Sequence, residues 1–261
     1  MVVAGCDVGS TTGKVVIMED DRILSYSIVR VRPESELTAQ EAMDEALGKA
    51  NLNLNQIQYC VGTGYGRVHI PFANETVTEI ACHGRGAYWI DPSIGTVIDI
   101  GGQDSKVIKI DGKGIVQDFA MSDKCAAGTG MFLEDIAGVL ELKLEDLGPM
   151  SLQAKEVIKI SNQCSVFALS EVISLVAEGK TIPDIVAGIN DSVASRMISM
   201  VVRIVLEEKA ILSGGVAKNI GVCQNLEEKL GVKLVNPFPV DPQVIGALGA
   251  SLFAKVALES M

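Results

Sequence analysis

Hydrophobic residues recur along the chain with two different spacings, and each spacing predicts one type of element. Short apolar stretches separated by polar turns fill residues 1–30 and 96–121, which predicts a strand meander in each segment. Apolar residues three and four positions apart predict helices elsewhere. The predicted helices are residues 38–50, 78–89, 125–140, 151–154, 165–178, 183–205, 221–230 and 244–258, and further strands are predicted at 59–61, 210–212 and 234–235. Strand meanders followed by helices, twice over, favour a duplicated α/β fold.

The two meanders contain the same motif. Residues 7–14 read Asp-Val-Gly-Ser-Thr-Thr-Gly-Lys and residues 99–106 read Asp-Ile-Gly-Gly-Gln-Asp-Ser-Lys, so the Asp, the first Gly and the Lys align without a gap. An internal repeat of this kind sets the architecture of a chain. Each copy joins two apolar strands through a loop that carries a carboxylate and backbone amides. Two such loops, facing one another across a cleft, are suited to clamp a polyphosphate and its Mg2+.

The loop residues divide into candidates for binding phosphate and candidates for binding magnesium. Glycine lets backbone N–H groups approach phosphate oxygens, hydroxyls add donors, and a lysine supplies a point charge. Mg2+ prefers one or two carboxylates together with water and phosphate, which makes Asp7 and Asp99 its candidate ligands through water. Asp-x-Gly is also ordinary turn chemistry, but the gapless second copy favours the functional interpretation. The phosphate-binding candidates are Gly9, Ser10, Thr11, Thr12 and Lys14 in the first loop and Gly101 and Gly102 in the second.

A third glycine cluster follows the predicted strand at 210–212. An apolar strand that runs into Gly-Gly and then a helix start suits close approach to a nucleoside or a phosphate. The candidate contacts are Gly214, Gly215, Val216 and Asn219. A plain strand–helix turn explains this cluster equally well. The small residues at 246–250 favour tight helix packing over direct ligand contact.

Charge and composition exclude some partners. The net charge of -11 and the aromatic content of 4% disfavour nucleic acid, which is bound by clustered Lys and Arg. No apolar run approaches the roughly 20 residues needed to cross a bilayer, and no signal segment is recognisable. We therefore expect a soluble cytoplasmic protein without membrane contact. The 6 cysteines include no Cys-x-x-Cys pair, and in the cytoplasm an even number does not imply disulfides.

Taken together, the two Asp-x-Gly loops, the Gly-Gly loop and the late helix of small residues resemble the actin/Hsp70/sugar-kinase ATPase superfamily. That resemblance implies a two-domain α/β protein, in which two duplicated RNase H-like domains bind a nucleotide in the cleft between them. The domains implied here are residues 1–94 plus 244–261 and residues 95–243.

Five further motifs resemble one branch of that superfamily, the ATP-dependent activator (component A) of 2-hydroxyacyl-CoA dehydratases. Relatives in this branch serve benzoyl-CoA reductases and double-cubane iron–sulfur proteins. The motifs are Gly-Thr-Gly-Tyr-Gly-Arg at 62–67, Cys-His at 82–83, Asp-Ile-Gly-Gly-Gln-Asp at 99–104, Asp-Lys-Cys-Ala-Ala-Gly-Thr-Gly at 123–130, and Gln-Cys-Ser-Val-Phe-Ala at 163–168 with Ser-Glu-Val at 170–172. The resemblance covers nearly the whole chain and assigns nucleotide binding also to Gly128, Thr129 and Gly130.

Two cysteines are candidate ligands of an iron–sulfur cluster. Cys125 and Cys164 each lie at a predicted helix start, where the helix dipole stabilises a thiolate. A [4Fe-4S] cluster generally needs four thiolates, so a cluster shared by two chains on a two-fold axis is the economical solution. The resemblance implies that arrangement, one cluster per homodimer. The alternative is that both are buried small hydrophobes, which is the preferred interpretation of the remaining cysteines, Cys6, Cys60, Cys82 and Cys223.

The resemblance implies an enzyme that couples ATP hydrolysis to one-electron transfer. A ferredoxin or flavodoxin is the expected donor, and a partner iron–sulfur enzyme is the expected acceptor. ATP, ADP and Mg2+ are the expected ligands of the cleft, with Asp7 and Asp99 in the catalytic set. Gln103 is a candidate to orient the attacking water, as a Gln does in GTPases, and Asp104 is its rival.

Two other functions remain open from the sequence. A small-molecule kinase of the same superfamily would transfer phosphate to a hydroxyl acceptor, although such kinases are typically longer and carry a sugar-binding insertion. A non-redox ATPase switch or filament-type protein would keep dimerisation and ATPase activity without its cysteines.

Overall fold

Two compact units make up the chain in the computed structural model, which describes residues 1–122, 126–161, 164–204 and 209–261. Unit 1 comprises Met1–Val97, Ile108–Gln117 and Pro237–Met261, and unit 2 comprises Ile98–Val107 and Asp118–Asn236. The domain boundaries expected from the sequence stay a prediction.

The strands form two five-stranded sheets, ordered β3-β2-β1-β4-β5 and β10-β9-β6-β7-β8. The strands are β1 (Val2–Val8), β2 (Thr12–Glu19), β3 (Arg22–Arg30), β4 (Tyr59–Thr63), β5 (Glu75–Thr76), β6 (Thr96–Ile100), β7 (Ser105–Ile110), β8 (Val116–Ser122), β9 (Ala210–Ser213) and β10 (Leu234–Val235). Both predicted meanders, β1–β3 and β6–β8, are confirmed, as are the strands predicted near residues 59, 210 and 234.

The helices of the described residues are α1 (Ser35–Ala50), α2 (Glu79–Ile90), α3 (Gly130–Val139), α4 (Leu147–Ser151), α5 (Ser165–Ala177), α6 (Ile182–Ile204), α7 (Ile220–Leu230) and α8 (Ile245–Glu259). Six of the eight predicted helices agree with these bounds to within a few residues. The prediction for residues 125–140 is confirmed over residues 130–139, with a start that was too early, and its residue 125 lies outside the described residues. The prediction for residues 151–154 was wrong in position.

The helix predicted from residue 125 begins only at Gly130. Residues 126–129 form a turn in which Thr129 N donates to Ala126 O at 3.0 Å, and Gly128 adopts a φ of 84°. That left-handed conformation cannot continue a right-handed helix. The helix predicted at 151–154 lies instead at Leu147–Ser151. Its Gly148 and Pro149 are residues that usually interrupt a helix, so the sequence pattern did not predict one there. Proline is tolerated there because it lies in the first turn, whose N–H groups need no helical partner.

The sheet of unit 1 carries helices on both faces. Strand β1 is antiparallel to β2 and parallel to β4. Its side chains alternate, so that Ala4 and Cys6 join the apolar cluster that contains α1, whereas Val3 joins the cluster of α8. The predicted packing role of residues 246–250 is confirmed, since a Cβ on Gly249 would overlap with the Cys82 carbonyl of α2.

The core of unit 2 is a larger apolar cluster built mainly by helices α3 to α7. Buried side chains of α3 and α6, among them Phe132, Leu133 and Ile189, pack with Ile98 and Ile100 of β6. Among the described residues one helix, α6, is long and apolar enough by length and composition to span a membrane, and 67% of its most apolar window is buried. A helix buried to this extent belongs to the core of the unit.

Candidate functional site

The first repeated loop connects β1 to β2 and is closed by one ion pair. Asp7 and Lys14 are cross-strand neighbours in the antiparallel register, and Lys14 Nζ lies 3.3 Å from Asp7 Oδ2. The loop between them turns through a hydrogen bond from Gly9 N to Thr12 O of 3.0 Å. A Cβ on Gly9 would lie 3.0 Å from Lys14 Nζ, so the ammonium group lies directly beside the glycine of this loop.

The second loop repeats this backbone geometry between β6 and β7. Lys106 Nζ lies 3.5 Å from Asp99 Oδ2, and Gly101 N donates to Asp104 O at 2.9 Å. These are the same two interactions, at the same places in the motif, as in the first loop. The alignment of the two motifs therefore corresponds to a repeat of structure as well as of sequence.

The two loops differ in the charge that lies beside the first glycine. In the second loop, Lys106 is also paired with the Asp104 carboxylate, and both side chains are buried. A Cβ on Gly101 would lie 2.6 Å from Asp104 Oδ1, so a carboxylate stands where the first loop has an ammonium group. Gln103, in contrast, is exposed, and its Nε2 lies 4.0 Å from Met131 Sδ. Of the two rivals for orienting water, Asp104 is engaged with a buried cation and Gln103 is accessible.

A turn after β4 completes the surroundings of Asp7. Gly64 has a φ of 85°, and a Cβ there would overlap with Asp7 Oδ1 and with the Val8 carbonyl. The preceding Thr63 is the parallel-strand neighbour of Asp7, and its side chain is fully buried next to the Cys82 thiol. Thr63 and Gly64 thus pack beside Asp7 from the neighbouring strand.

The turn after β9 has the same relation to Asp99. Gly214 also has a φ of 85°, and a Cβ there would overlap with the Ile100 carbonyl and lie 3.0 Å from Asp99 Oδ1. Ser213 Oγ donates to Asp99 Oδ1 at 2.8 Å. Ser213, Thr63 and Gly64 were not among the site residues predicted from the sequence. The signal for them is a hydroxyl residue followed by glycine at the end of a short apolar strand.

The remaining candidates of the Gly-Gly cluster have evident structural roles. Gly215 begins a 3-10 turn, and Val216 is buried in the core of unit 2. Asn219 caps α7, because its Oδ1 accepts hydrogen bonds from Gly221 N and Val222 N at 3.0 and 3.2 Å. Its Nδ2 donates to Asn190 Oδ1 at 3.0 Å. A direct nucleotide contact of these residues stays a prediction.

The glycine-rich segment before α3 contacts the second loop. Gly130 N donates to Gly101 O and Met131 N donates to Gly102 O, both at 2.9 Å. The structure thus brings Gly130 together with the second Asp-x-Gly loop, and Thr129 is buried beside it.

The cysteines lie in different surroundings. Cys164 is partly exposed and is the N-cap residue of α5, as predicted, whereas Cys125 lies outside the described residues. Cys60 and Cys82 are buried, and burial raises the pKa of each thiol to about 12. Cys6 is buried with a raised pKa, and burial raises the pKa of the half-buried Cys223 to about 11. In the part of the chain that the structure describes, no three His, Cys, Asp or Glu side chains form a metal-binding group.

The exposed face of α5 is apolar. Val166, Phe167 and Ile173 are 64%, 70% and 55% exposed, and all three follow Cys164 within ten residues. Large apolar side chains grouped on one surface mark an interaction site more often than isolated ones do.

The donor groups of each loop suit Mg2+ and phosphate. Asp7 and Asp99 are buried carboxylates, hard oxygen ligands of the kind Mg2+ prefers, and each is held by a lysine. The close approach at Gly9 and the Lys14 ammonium group beside it fit phosphate oxygens in the first loop. The residues present therefore fit the nucleotide and the metal that the motifs predict.

Fold and loops define the class of the protein, an ATPase of the actin/Hsp70/sugar-kinase type. The likeness to a ROK family glucokinase from Streptomyces griseus, with a TM-score of 0.56 at 12% identity over 98% of this chain and 100% of that one, shows this fold. The chain belongs to the BadF/BadG/BcrA/BcrD ATPase family, whose model matches residues 4–254. The fold class, the resemblance and the assignment as an ATP-hydrolysing enzyme are thereby confirmed.

Individual relatives match over almost the whole chain. The activator of lactoyl-CoA dehydratase from Anaerotignum propionicum is 42% identical over 99% of both chains. The crystal structure of (R)-2-hydroxyglutaryl-CoA dehydratase component A from Acidaminococcus fermentans matches with a TM-score of 0.94 at 40% identity, covering 99% of both chains. The activator of 2-hydroxyisocaproyl-CoA dehydratase from Clostridium difficile with bound ADPNP also gives 0.94, at 38% identity over 100% of this chain and 98% of that one.

Proposed function

We propose that this ATPase is an activator that uses ATP hydrolysis to pass single electrons to a partner iron–sulfur enzyme. The observation that carries the proposal is the conjunction of two features within one chain. One is the duplicated Asp-x-Gly loop with its Asp–Lys pairs, and the other is a cysteine at the start of a helix whose exposed face is apolar. Three relatives that match over at least 96% of the chain are named as dehydratase activators, which supports the same conclusion.

Nucleotide binding falls to the two loops. Lys14 supplies the positive charge beside Gly9, and the hydroxyls of Ser10, Thr11 and Thr12 add donors for phosphate oxygens. Asp7 and Asp99 would hold Mg2+ through its water ligands, and the metal would neutralise the charge of the phosphates. Gly214 lets the turn after β9 pack against the Ile100 carbonyl and beside Asp99, since a Cβ there would overlap with that carbonyl.

The orientation of the attacking water is assigned to Gln103, in preference to its rival Asp104. An exposed amide can orient a water molecule without being a strong base, which suits slow hydrolysis. Asp104 is unsuited to this task because its carboxylate is buried against Lys106. Gln103→Ala is expected to lower the kcat of ATP hydrolysis with little change in nucleotide affinity, and unchanged turnover would refute the assignment.

The cluster is assigned to Cys164 and Cys125, two from each chain of a homodimer. Cys164 is the N-cap residue of α5 and so lies at the positive end of the helix dipole. Covering Val166, Phe167 and Ile173 with a second copy would bury apolar surface and bring the cysteines of two chains to one axis. The bound [4Fe-4S] cluster would store and release one electron at a time.

The proposed partners follow from the same assignment. A ferredoxin or flavodoxin would reduce the cluster, and the acceptor would be a 2-hydroxyacyl-CoA dehydratase. One of the subunits of benzoyl-CoA reductase from Thauera aromatica is 31% identical over 100% of this chain, which keeps an aromatic-ring reductase as an alternative acceptor. A double-cubane iron–sulfur protein is the third possible acceptor.

The test is the iron and acid-labile sulfide content of the anaerobically purified protein together with its native mass. About two irons per chain in a dimer are expected, because four irons are shared by two chains. Cys164→Ser should lose the iron, and the matched control Cys223→Ser should keep it, since Cys223 Sγ instead donates to Ala217 O at 3.3 Å. An iron-free protein after anaerobic reconstitution would overturn the redox function.

A further inference from the structure

The start of α3 is capped in an unusual way. The first N–H groups of any helix lack partners within the helix, and an N-cap side chain usually accepts from them. Thr129 is the N-cap residue of α3, but its hydroxyl donates to Ala126 O at 2.6 Å and caps nothing. The N–H groups of Gly130 and Met131 donate instead to carbonyls of the second phosphate loop, 29 residues earlier in the chain.

These two hydrogen bonds fix the direction of the loop's own amides. In a trans peptide the C=O and the following N–H point in opposite directions. Because the carbonyls of Gly101 and Gly102 are turned toward α3, the N–H groups of Gly102 and Gln103 are turned away from it. Amides held in one direction are what a loop needs in order to cradle phosphate oxygens.

The side chain of Gln103 is affected by the same contact. Its Nε2 lies 4.0 Å from Met131 Sδ, so the first turn of α3 contacts both the backbone and the proposed catalytic side chain of the loop. The segment just before that turn, Ala126 to Thr129, continues directly from Cys125 in the sequence. The first turn of α3 therefore connects the loop of Gln103 with the segment that bears a proposed cluster ligand.

We propose that Gly130 and Met131 are positioning residues for ATP hydrolysis, which act through the carbonyls of Gly101 and Gly102 to set the loop that carries Gln103. The inference rests on the proposed function of that loop and deepens it. A change of nucleotide at the loop is transmitted to residues 126–131 through the same two hydrogen bonds. The resemblance assigns Gly130 to nucleotide binding, and in this proposal Gly130 serves that site through the loop and not by direct contact with the nucleotide.

Two glycines of α3 provide a matched pair of variants. A Cβ on Gly130 would lie 3.3 Å from Gly101 O and 3.5 Å from Gly102 Cα, so Gly130→Ala shifts the loop by a few tenths of an ångström. A Cβ on Gly138, in the same helix, would meet nothing within 4 Å. Both substitutions replace glycine by alanine in the same helix, and only Gly130→Ala places a Cβ against the loop, so a difference between them reports that contact.

The experiment combines hydrogen exchange with steady-state kinetics. In the wild type, exchange of the Gly130 and Met131 amides is expected to be slow for a first helical turn and to slow further with ADPNP. Gly130→Ala should speed that exchange, and it should lower the kcat of ATP hydrolysis about five- to tenfold, because small misplacements of a catalytic group are costly. The affinity of Gly130→Ala for ADPNP should stay within about twofold of that of the wild type, since the two hydrogen bonds from Gly130 and Met131 do not involve the first loop. Gly138→Ala should match the wild type in every measurement.

Three results would overturn the proposal, and a fourth separates it from the assignment of Gln103. Fast wild-type exchange at the Gly130 and Met131 amides would show that their hydrogen bonds to Gly101 and Gly102 do not hold the loop, and this measurement needs no variant to fold. Wild-type kcat in Gly130→Ala, or an equal loss in Gly138→Ala, would show that the contact does not position the loop. Wild-type turnover in Gln103→Ala would refute only the role of Gln103, because the exchange and kcat of Gly130→Ala are judged independently.

Discussion

Removing the ammonium group of Lys106 should destabilise unit 2 more than removing that of Lys14 destabilises unit 1. Lys106 lies between the carboxylates of Asp99 and Asp104, and all three side chains are at most 7% exposed. Lys106→Met keeps most of the side-chain volume but leaves two buried carboxylates without this cation. Breaking a buried ion pair in this way typically costs about 3–5 kcal/mol. Lys14→Met is the matched control, since Lys14 pairs with the single carboxylate of Asp7 among the described residues and is 12% exposed.

The assay is urea unfolding followed by two signals. Trp89, the one tryptophan of the chain, lies in α2 of unit 1, whereas far-ultraviolet circular dichroism reports the helices of both units. For Lys106→Met we expect the urea midpoint measured by circular dichroism to fall, corresponding to a loss of about 3–5 kcal/mol in the free energy of unfolding. For Lys14→Met the loss should be about 1–3 kcal/mol, the cost of one unsatisfied buried group.

A second substitution tests the cause of that loss. Adding Asp104→Asn to Lys106→Met removes one of the two stranded negative charges, so the double variant should regain about 1–3 kcal/mol, within the usual range of coupling energies. A loss below about 1 kcal/mol for Lys106→Met would refute this account of the buried charges. So would a double variant that is less stable than Lys106→Met alone.

Three further predictions test single features. Gly64→Ala should abolish ATP hydrolysis, because its Cβ would overlap with Asp7 Oδ1, whereas Gly48→Ala, with nothing within 4 Å, should keep the wild-type kcat. Asn219→Ala should lower the unfolding free energy by about 1–2 kcal/mol through the lost helix cap. Asn219→Asp keeps the cap but cannot donate to Asn190 Oδ1, so it should recover only part of that loss, and a lower nucleotide affinity in Asn219→Asp than in Asn219→Ala would instead indicate direct contact. Burial raises the pKa of the Cys60 and Cys82 thiols from 9.0 to about 12, so the stability they confer is complete below pH 9 and is lost as the pH rises toward 12. At pH 8 both should resist alkylation by iodoacetamide in the folded protein, and labelling of either thiol without unfolding would contradict this.

Interactions between neighbours in the sequence were predictable, and those between distant segments were not. The pairing of Asp7 with Lys14 follows from a short strand–loop–strand motif, and its gapless copy repeats it. The start of α3 could not be found in this way, because the groups that cap it are carbonyls at residues 101 and 102. The spacing of apolar residues within one segment does not indicate hydrogen-bond partners that lie 29 residues away.

The same reason explains why the hydroxyl–glycine turns were overlooked. Thr63 reaches Asp7 only because β4 lies parallel to β1, a pairing across 56 residues. Ser213 reaches Asp99 across 114 residues. Strand order of this kind is set by the packing of helices on the two faces of a sheet, which the spacing of residues within one strand does not reveal.

The duplicated loops show how one backbone can be given two different electrostatic properties. Both close with the same Gly N to carbonyl hydrogen bond and carry the same Asp–Lys pair. Five of the eight motif positions differ, and among them only the exchange of Thr12 for Asp104 changes the charge. A hydroxyl at that position leaves the first loop with one carboxylate and one ammonium group, which favours phosphate oxygens near Gly9. A second carboxylate gives the second loop an excess negative charge, which favours a cation. Because that carboxylate also holds Lys106 away from the loop's surface, the adjacent Gln103 is the polar side chain left to face solvent there, where a water molecule would have to be oriented.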